Sequence, residues 1–215
     1  MSKAKDRYLD KLKKNKISKR IIDVFSEIDR KKYFDQVFHR KIYDMDIVPV
    51  GYGQKSDDPV TLARMIQIAS PKKSWRVLEV GTGSGYSTAI LASMVSEVVT
   101  VEYNENLAIR AKKSLTDEGF DNIRLFSGDA ADMEDLGSRF SAVIVCSACY
   151  KSPLSILGCL SPGGIAVFPM GPPYQQQLVK FTGIPGRDIS VDNYEFFDYC
   201  TFDSIRGVYG WVDNV

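Results

Sequence analysis

Residues 76–86 read Arg-Val-Leu-Glu-Val-Gly-Thr-Gly-Ser-Gly-Tyr, and this stretch decides the fold of the 215-residue chain. Its apolar first half predicts a buried strand, which runs directly into three glycines spaced two apart. An amphipathic helix is predicted to follow at once, over 86–94. Glycine is needed where a backbone turns sharply and a ligand approaches without a Cβ in the way. A strand, a glycine-rich turn and a helix N-terminus together predict the nucleotide-binding corner of a parallel sheet.

The spacing of the glycines separates two classes of nucleotide ligand. The dinucleotide fingerprint needs its third glycine three residues after the second. Tyr86 occupies that place, and Gly85 stands one position early, so NAD or FAD is the poorer interpretation. The pattern instead resembles the first motif of S-adenosylmethionine-dependent methyltransferases. This resemblance implies a cofactor site made of Glu79, Gly81, Thr82, Gly83, Ser84 and Gly85.

The segments after residue 76 alternate between strand and helix patterns. This alternation predicts an α/β fold, Rossmann-like and doubly wound, with a mostly parallel sheet and helices on both faces. After Pro172-Pro173 the pattern changes to two strands that form an antiparallel C-terminal edge. The predicted strands are 76–80, 98–103, 123–127, 141–146, 164–169, 176–182 and 196–203, and the predicted helices are 86–94, 105–118 and 153–160.

The N-terminal third is predicted to be a helical extension of a single domain that spans residues 1–215. Ser18 can cap a helix that reaches Asp29, and Asp58 with Pro59 can begin a second helix through residue 68. Residues 48–54 between them are too rich in glycine for a regular element and predict an ordered loop. We divide the domain into residues 1–70, with the helices and this loop, and the α/β core 76–215.

Charge and composition exclude several classes of protein. The formal net charge is +1, but residues 1–20 hold nine basic and two acidic residues. With Tyr8 as its one aromatic residue, this segment predicts a solvated terminus rather than a nucleic-acid contact, and residues 1–16 are expected to add little to the core. No apolar run approaches the ~18 residues of a membrane span. Four cysteines in 215 residues indicate a reducing, cytoplasmic setting without disulfides.

The motif Cys146-x-x-Cys149 invites a redox or zinc interpretation. However, the chain has no second such motif, and its one histidine, His39, is distant in sequence. The pair is therefore interpreted as small buried residues after a strand, and no metal site is expected.

Two acidic residues follow successive strands downstream of the glycines. Glu102 ends the apolar run Val98–Val101, about twenty residues on, where a carboxylate accepts hydrogen bonds from both ribose hydroxyls. Asp129 closes the third strand, where a carboxylate can accept the adenine amino group. Both are predicted to complete the site for S-adenosylmethionine, whereas Asp132 and Glu134 are predicted to be solvated.

Nearly the whole chain, from Ile17 to Trp211, resembles the protein-L-isoaspartate O-methyltransferase family, which methylates the carboxyl group of damaged aspartyl residues. Five segments carry the resemblance. They are Ile28–Phe34, Val50-Gly-Tyr-Gly-Gln54 followed by Pro59, the glycine motif Val77–Leu91, Gly128-Asp129 followed by Val143–Ala148, and Leu160-Ser-Pro-Gly-Gly164. The glycine motif alone indicates a methyltransferase, and the Gly-Tyr-Gly-Gln loop selects this family. The resemblance implies S-adenosyl-L-methionine as cofactor and isoaspartyl-containing proteins or peptides as substrate, in protein repair. The implied substrate-binding residues are Gly53, Gln54, Lys55, Cys146, Ser147 and Ala148.

The chain departs from the family in the substrate loop. After Gly-x-Gly-Gln the family has Thr-Ile-Ser, any residue and Pro, and that serine helps to hold the substrate carboxylate. Counted without gaps, Asp57 occupies the serine position and Ser56 lies one place early, so we select both as candidate catalytic residues. Two carboxylates about 4 Å apart repel by up to ~4 kcal/mol at an effective dielectric constant near 20. Lys55 can compensate, the loop can shift by one residue to present Ser56, or the substrate can differ.

The residue inventory favours a carboxylate as methyl acceptor. An ionised carboxylate is already a nucleophile near neutral pH, whereas a hydroxyl or amine acceptor calls for a base, usually histidine. His39 is the only histidine and is expected to be a surface or packing residue. Two alternatives stay open, namely a methyltransferase of the same fold with another acceptor and a non-catalytic module that binds the cofactor.

Overall fold

A computed structural model describes residues 3–132, 136, 139–183 and 193–210. The helices are α1 (Lys3–Lys14), α2 (Lys19–Glu27), α3 (Pro59–Ala69), α4 (Tyr86–Met94), α5 (Glu105–Asp117) and α6 (Leu154–Leu157), with 3₁₀ turns at Arg30–Tyr33 and Gln36–Phe38. The strands are β1 (Pro49–Gly51), β2 (Gln54–Lys55), β3 (Arg76–Val80), β4 (Glu97–Glu102), β5 (Ile123–Ser127), β6 (Phe140–Val145), β7 (Leu160–Met170), β8 (Gln176–Thr182) and β9 (Tyr194–Cys200). No helix in these ranges is both long enough and apolar enough to cross a membrane.

Seven strands form the central sheet in the order β5-β4-β3-β6-β7-β8-β9. The first five are parallel to one another, and β8 and β9 pair antiparallel at the edge. The predicted fold class is therefore confirmed. Because the chain winds outward from β3 in both directions, the order reverses between β3 and β6. A doubly wound sheet opens a ligand crevice at this switch point, outside the carboxyl ends of the strands.

Tertiary pairing changes three of the predicted elements. Residues 48–54, expected to be a loop, hold the hairpin β1–β2, with its positive φ angles confined to the turn at Gly51, Tyr52 and Gly53. The helix predicted over 153–160 contains only Leu154–Leu157, and the strand predicted from 164 begins at Leu160. Leu160 pairs with Phe140 of β6, so contact with the sheet prevails over the local helical pattern.

The N-terminal segment packs against the domain, and the expectation that residues 1–16 add little to the core is wrong. Tyr8, Leu9 and Leu12 of α1 are buried in the same apolar cluster as α2, α3 and α4. The Tyr8 hydroxyl also lies 2.9 Å from the Tyr86 hydroxyl. Three apolar residues on one helix face are enough to dock a helix that is otherwise highly charged, because the charges occupy the other face.

Buried Arg30 fastens this N-terminal layer to the start of α4. Its guanidinium donates hydrogen bonds to backbone carbonyls within residues 42–46. It also lies over the rings of Tyr8, Phe34 and Tyr86 at 5.3–5.8 Å from their centroids. A buried guanidinium needs such partners, since an unpaired charge in the core is costly. The residue that immediately follows the glycine loop is thereby fixed from the N-terminal side.

Candidate active site at the carboxyl ends of β3 and β6

A cavity of about 300 Å³ opens at the switch point of the sheet. One side, here called the glycine-loop side, consists of residues 80–84, the end of β4 at Glu102 and the end of β5 at Asp129. The other, here called the hairpin side, consists of residues 54–57 and the β6 exit at Cys146 and Ser147. Residues 204–206 of the C-terminal segment complete the lining. Its volume is at the lower end of the range for small-molecule sites.

The glycine loop adopts the backbone geometry that its composition predicts. Gly81, Gly83 and Gly85 have φ angles of +94°, +55° and +86°, in the left-handed region that residues with a Cβ rarely adopt. A Cβ on Gly81 would come within 3.3 Å of Ser147 Oγ, and a Cβ on Gly85 within 3.3 Å of Leu115. A Cβ on Gly83 would meet nothing within 4 Å. The loop is therefore packed closely at its two ends and open at its middle.

Backbone N–H groups hold Glu102 at the floor of the glycine-loop side. Its Oε2 accepts a hydrogen bond from Gly83 N at 2.8 Å, and its Oε1 accepts one from Asn104 N at 3.0 Å. Each carboxylate oxygen can accept a further hydrogen bond. The side chain is thus oriented by the loop and still available to hydroxyl donors in the cavity.

Asp129 lies where the C-terminal segment crosses the cavity. Its Oδ1 accepts a hydrogen bond from Ala131 N at 2.9 Å. A Cβ built on Gly207 would fall 1.8 Å from Asp129 Oδ2, and Gly207 has a φ of +89°. The C-terminal backbone therefore touches the carboxylate directly, and only glycine fits at this contact. Hydrogen bonds of 2.8–2.9 Å between residues 148–150 and residues 203–209 hold that segment in place.

Glu79, predicted as a cofactor ligand, lies beneath the cavity and does not line it. Its Oε2 accepts hydrogen bonds from the hydroxyls of Thr88 at 2.5 Å and Thr100 at 2.7 Å. Its Oε1 is buried without a hydrogen-bond partner among the described residues. Burial raises the pKa of Glu79 to about 7, although hydrogen bonds from the neighbouring hydroxyls oppose the shift.

The hairpin side presents Asp57 rather than Ser56. The Ser56 hydroxyl accepts a hydrogen bond from Val48 N at 3.0 Å and donates one to the Asp57 carbonyl at 3.3 Å, so the loop itself uses it. The Asp57 carboxyl is partly exposed and lines the cavity beside the Cys146 thiol. Desolvation at this place raises the pKa of Asp57 to about 7, and the neighbouring thiol lowers it in part.

Two contacts fix the hairpin that carries Asp57. Arg110 of α5 donates a hydrogen bond to the Val50 carbonyl at 2.9 Å. At the hairpin's other end, Asp58 accepts a hydrogen bond from Thr61 N at 2.8 Å and caps α3, as predicted. Lys55 points toward the C-terminal segment, where it forms an ion pair with Asp203 at 3.1 Å.

Most of the residues selected from the sequence meet in this one cavity. They are Gln54, Lys55, Ser56, Asp57, Gly81, Thr82, Gly83, Ser84, Glu102, Asp129, Cys146 and Ser147. Glu79, Gly53, Gly85 and Ala148 adjoin it in sequence without lining it. Sequence reasoning missed Tyr52, Tyr103, Asn104, Leu107 and the 204–206 segment. Adjacency to Glu102 could have indicated Tyr103 and Asn104, whereas no motif marks residues 204–206.

Cys149, His39 and Asp132 do not line the cavity. Cys149 is buried, and all four cysteines are free thiols. The described residues contain no cluster of three or more His, Cys, Asp or Glu side chains that could hold a metal ion. His39 bonds the Phe34 carbonyl at 2.9 Å through Nε2, away from the cavity. Asp132 is exposed as predicted, and Glu134 lies outside the described residues.

The parallel sheet, its glycine loop and the acidic residues at successive strand ends define a class I methyltransferase fold. A model of the family described as protein-L-isoaspartate(D-aspartate) O-methyltransferase matches residues 3–204. This chain therefore belongs to that family.

Curated relatives and solved structures agree with this assignment. The chain is 35% identical over 204 residues to a protein-L-isoaspartate O-methyltransferase of Petrotoga mobilis, with 93% of each chain covered. It is 35% identical over 176 residues to the enzyme of that name from Cronobacter sakazakii, covering 82% of this chain and 84% of the relative. A structure described as a Plasmodium falciparum protein-L-isoaspartate O-methyltransferase, in complex with S-adenosyl-L-homocysteine, superposes with a TM-score of 0.80 at 19% identity. That match covers 94% of this chain and 98% of the other, and it supports the fold.

Proposed function

We propose that this chain is an S-adenosylmethionine-dependent protein-L-isoaspartate O-methyltransferase that methylates the free carboxylate of isoaspartyl residues in damaged proteins or peptides. The observation that carries the proposal is the convergence of two motifs in one cavity. The glycine loop that follows β3 lies opposite the hairpin that contains Gly51-Tyr-Gly-Gln54. The first motif is typical of the cofactor, and the second is typical of this family.

The residues of the glycine-loop side fit S-adenosylmethionine. Glu102 keeps carboxylate lone pairs for ribose hydroxyls, and Asp129 can accept a hydrogen bond from the adenine amino group. Gly81–Ser84 leave room at Gly83 for close approach of the methionine portion. Glu79 lies beneath the same loop with its Oε1 unpartnered among the described residues, and a cationic ligand above it would favour the ionised form of this carboxyl. When bound, the cofactor supplies a methyl group on a sulfonium centre.

The chemistry asked of the protein is alignment and exclusion of water. A carboxylate acceptor is ionised well below neutral pH and needs no base to become a nucleophile. Among the described residues the cavity lining contains no histidine, which suits such an acceptor. Fixing the acceptor against the methyl donor can supply much of the rate, because it removes the entropy of bringing two reactants together.

The division of the chain follows from this chemistry. Residues 1–70 would present the substrate through the hairpin, and residues 76–215 would bind the cofactor. A repair enzyme for aged proteins would act in the cytoplasm, and nucleic acid would not be a partner.

Methyl incorporation into a pair of matched peptides tests the proposal. One peptide contains a single isoaspartyl residue, and its control has the same sequence with a normal aspartyl residue. We expect methyl ester on the isoaspartyl peptide alone. Retained binding of S-adenosylhomocysteine without methylation of this peptide at any pH from 5.5 to 9 would contradict the proposed substrate.

A second candidate is a methyltransferase of the same fold that acts on another acceptor, and the observation that favours it is Asp57. A carboxyl group stands where the family has serine. It suits an amine, a hydroxyl or a cationic acceptor better than it suits an ionised carboxylate acceptor. Methylation of such compounds, with none of the isoaspartyl peptide, would support this candidate.

A further inference from the structure

We propose that Asp57 meets the substrate carboxylate as a protonated carboxylic acid, donates a hydrogen bond to it, and thereby confines isoaspartyl recognition to acidic and neutral pH. This inference rests on the proposed function, because it concerns how that substrate is held. It assigns to Asp57 the donor role that a serine hydroxyl has in the family.

Ser56 and Asp57 are the two candidate residues of the substrate loop for donating a hydrogen bond to the substrate carboxylate. The geometry favours Asp57. Its carboxyl lines the cavity beside Cys146 and opposite the glycine loop. The Ser56 hydroxyl donates to the Asp57 carbonyl, so this neighbour has no proton left for a ligand. The neighbouring Cys146 thiol is only a weak hydrogen-bond donor.

The charged groups around Asp57 disfavour its ionised form. Burial is the largest cause, and three further carboxyl groups add to it electrostatically, Glu79 from β3, Asp203 from the C-terminal segment and Asp58 from the same loop. Each raises the pKa of Asp57, as burial does, and the hydrogen bond from the Cys146 thiol opposes them. A group whose pKa lies near 7 is mostly protonated at pH 6.

The nearby cations are engaged elsewhere. Lys55 pairs with Asp203 at 3.1 Å, and Lys11 of α1 pairs with Asp46 at 2.6 Å and lies 3.6 Å from Asp58. Arg206 lines the cavity from the exposed C-terminal segment, and no ion pair joins it to Asp57 among the described residues. Among the described residues, no ion pair therefore neutralises the Asp57 carboxyl.

A single proton shared between two carboxyl groups resolves the repulsion that an acidic residue at this position introduces. The substrate carboxylate loses its proton near pH 4, as ordinary carboxyl groups do. Asp57 keeps its proton until about pH 7. Between these values one group is the acceptor and the other the donor, which is the arrangement that like-charged pairs adopt in acid-protease dyads. Above that range both groups are ionised, and binding weakens.

The test compares pH profiles of kcat/KM on the isoaspartyl peptide for the wild type, Asp57→Asn and Asp121→Asn. The amide of Asp57→Asn donates a hydrogen bond at every pH, whereas Asp121 is exposed and lies outside the cavity. We expect wild-type kcat/KM to fall about tenfold per pH unit above pH 7, and Asp57→Asn to exceed it by about 100-fold at pH 9. Asp121→Asn should follow the wild type. A flat wild-type profile, or the same fall in Asp57→Asn, would overturn the inference.

Cys146→Ala adds a readout that a purely structural role of Cys146 would not produce. Because the thiol hydrogen bond lowers the pKa of Asp57, its removal should move the basic limb of the profile to higher pH. A limb that stays in place, or moves to lower pH, would contradict the arrangement.

Infrared spectroscopy tests the protonation of Asp57 independently of turnover. The spectrum of the cofactor-free wild type minus that of Asp57→Asn should show a protonated-carboxyl band at pH 6 that is lost by pH 9, and this subtraction removes the band that Glu79 contributes to both proteins. If no peptide is methylated but this band is present, the proposed substrate fails and the protonation stands. If methylation is observed without the band, the inference fails and the proposed function stands.

Discussion

The glycine-loop side and the hairpin side of the cavity hold their carboxyl groups differently. Glu102 and Asp129 accept hydrogen bonds from backbone N–H groups, so the fold itself fixes their orientation. Asp57 lies instead beside a side chain, the thiol of Cys146. The difference teaches that backbone geometry sets the first side, whereas the identity of side chains sets the second. A family can then keep one cofactor while its substrate contacts change.

The largest expected effect concerns the N-terminal helix α1, which packs beside the glycine loop through its contact with Tyr86. Leu12 of α1 is completely buried, and Leu12→Ala should lower the free energy of unfolding by about 2–5 kcal/mol through the cavity it leaves. Chemical denaturation measures this loss, with exposed Val37→Ala as the control. Cofactor affinity should fall as well, since Tyr8 of the same helix contacts Tyr86 beside the loop. A fall in peptide affinity alone would show that α1 supports the hairpin side instead.

The second prediction concerns the pH dependence of stability at Glu79. Its pKa is about 7 in the folded protein, against 4.5 for an unperturbed glutamate, so the unfolded chain loses this proton first as pH rises. The stability that the neutral carboxyl provides is therefore present below pH 4.5 and lost as pH passes 7. The stability of Glu79→Gln relative to the wild type should therefore rise by up to about 3 kcal/mol between pH 5 and pH 8, at 1.36 kcal/mol per pKa unit.

Thermal unfolding of the cofactor-free protein at pH 5 and pH 8 measures this difference. The control Asp121→Asn should keep the wild-type pH dependence, because its side chain is exposed. If Glu79→Gln is destabilised equally at both pH values, the neutral carboxyl beneath the loop is ruled out.

The third prediction separates the two sides of the cavity directly. Glu102→Ala removes a carboxylate bonded to Gly83 N and Asn104 N, and it should weaken S-adenosylhomocysteine binding by roughly 1–3 kcal/mol. Calorimetry measures that affinity. Isoaspartyl-peptide affinity, measured at saturating cofactor, should change little. Unchanged cofactor affinity would remove Glu102 from the cofactor site.

The smallest expected effect is that of Lys55→Ala. Lys55 and Asp203 form an ion pair whose side chains are 47% and 41% exposed, and exposed pairs contribute about 0–1 kcal/mol. We therefore expect kcat/KM at pH 6 to change less than fivefold. A larger loss would show that Lys55 compensates the charge of the substrate carboxylate, which is an alternative that the sequence left open. That result would argue against a protonated Asp57.

The glycine-loop side could be predicted from the sequence because it is built from short segments at the ends of successive strands. The bounds of β3 and α4 agree with the predictions to the residue, and Glu102 and Asp129 face one cavity because parallel strands end at one edge. Glu79 shows the limit of that prediction. Its neighbours Thr88 and Thr100 lie on other elements, so the tertiary structure draws its side chain beneath the loop.

The features that the sequence could not supply depend on distant contacts. The docked helix α1 contacts Tyr86, which is distant in sequence. Three residues of α1 are buried on docking, although the charge pattern of the helix indicates that it is solvated. Residues 204–206 line the cavity because their backbone pairs with that of Ala148. Nothing in the composition of this segment indicates that position. The register of the substrate loop depends on a more local contact across the hairpin, the hydrogen bond from Val48 N to the Ser56 hydroxyl.

The hydrogen bond between Tyr8 and Tyr86 also has a consequence for the order of folding. It joins residues 78 positions apart, so a long loop must close before the contact contributes. The corner of β3 and α4 forms from neighbouring residues and can assemble first. We expect α1 to dock after the rate-limiting step, so that substitutions at Tyr8 accelerate unfolding and leave the refolding rate nearly unchanged.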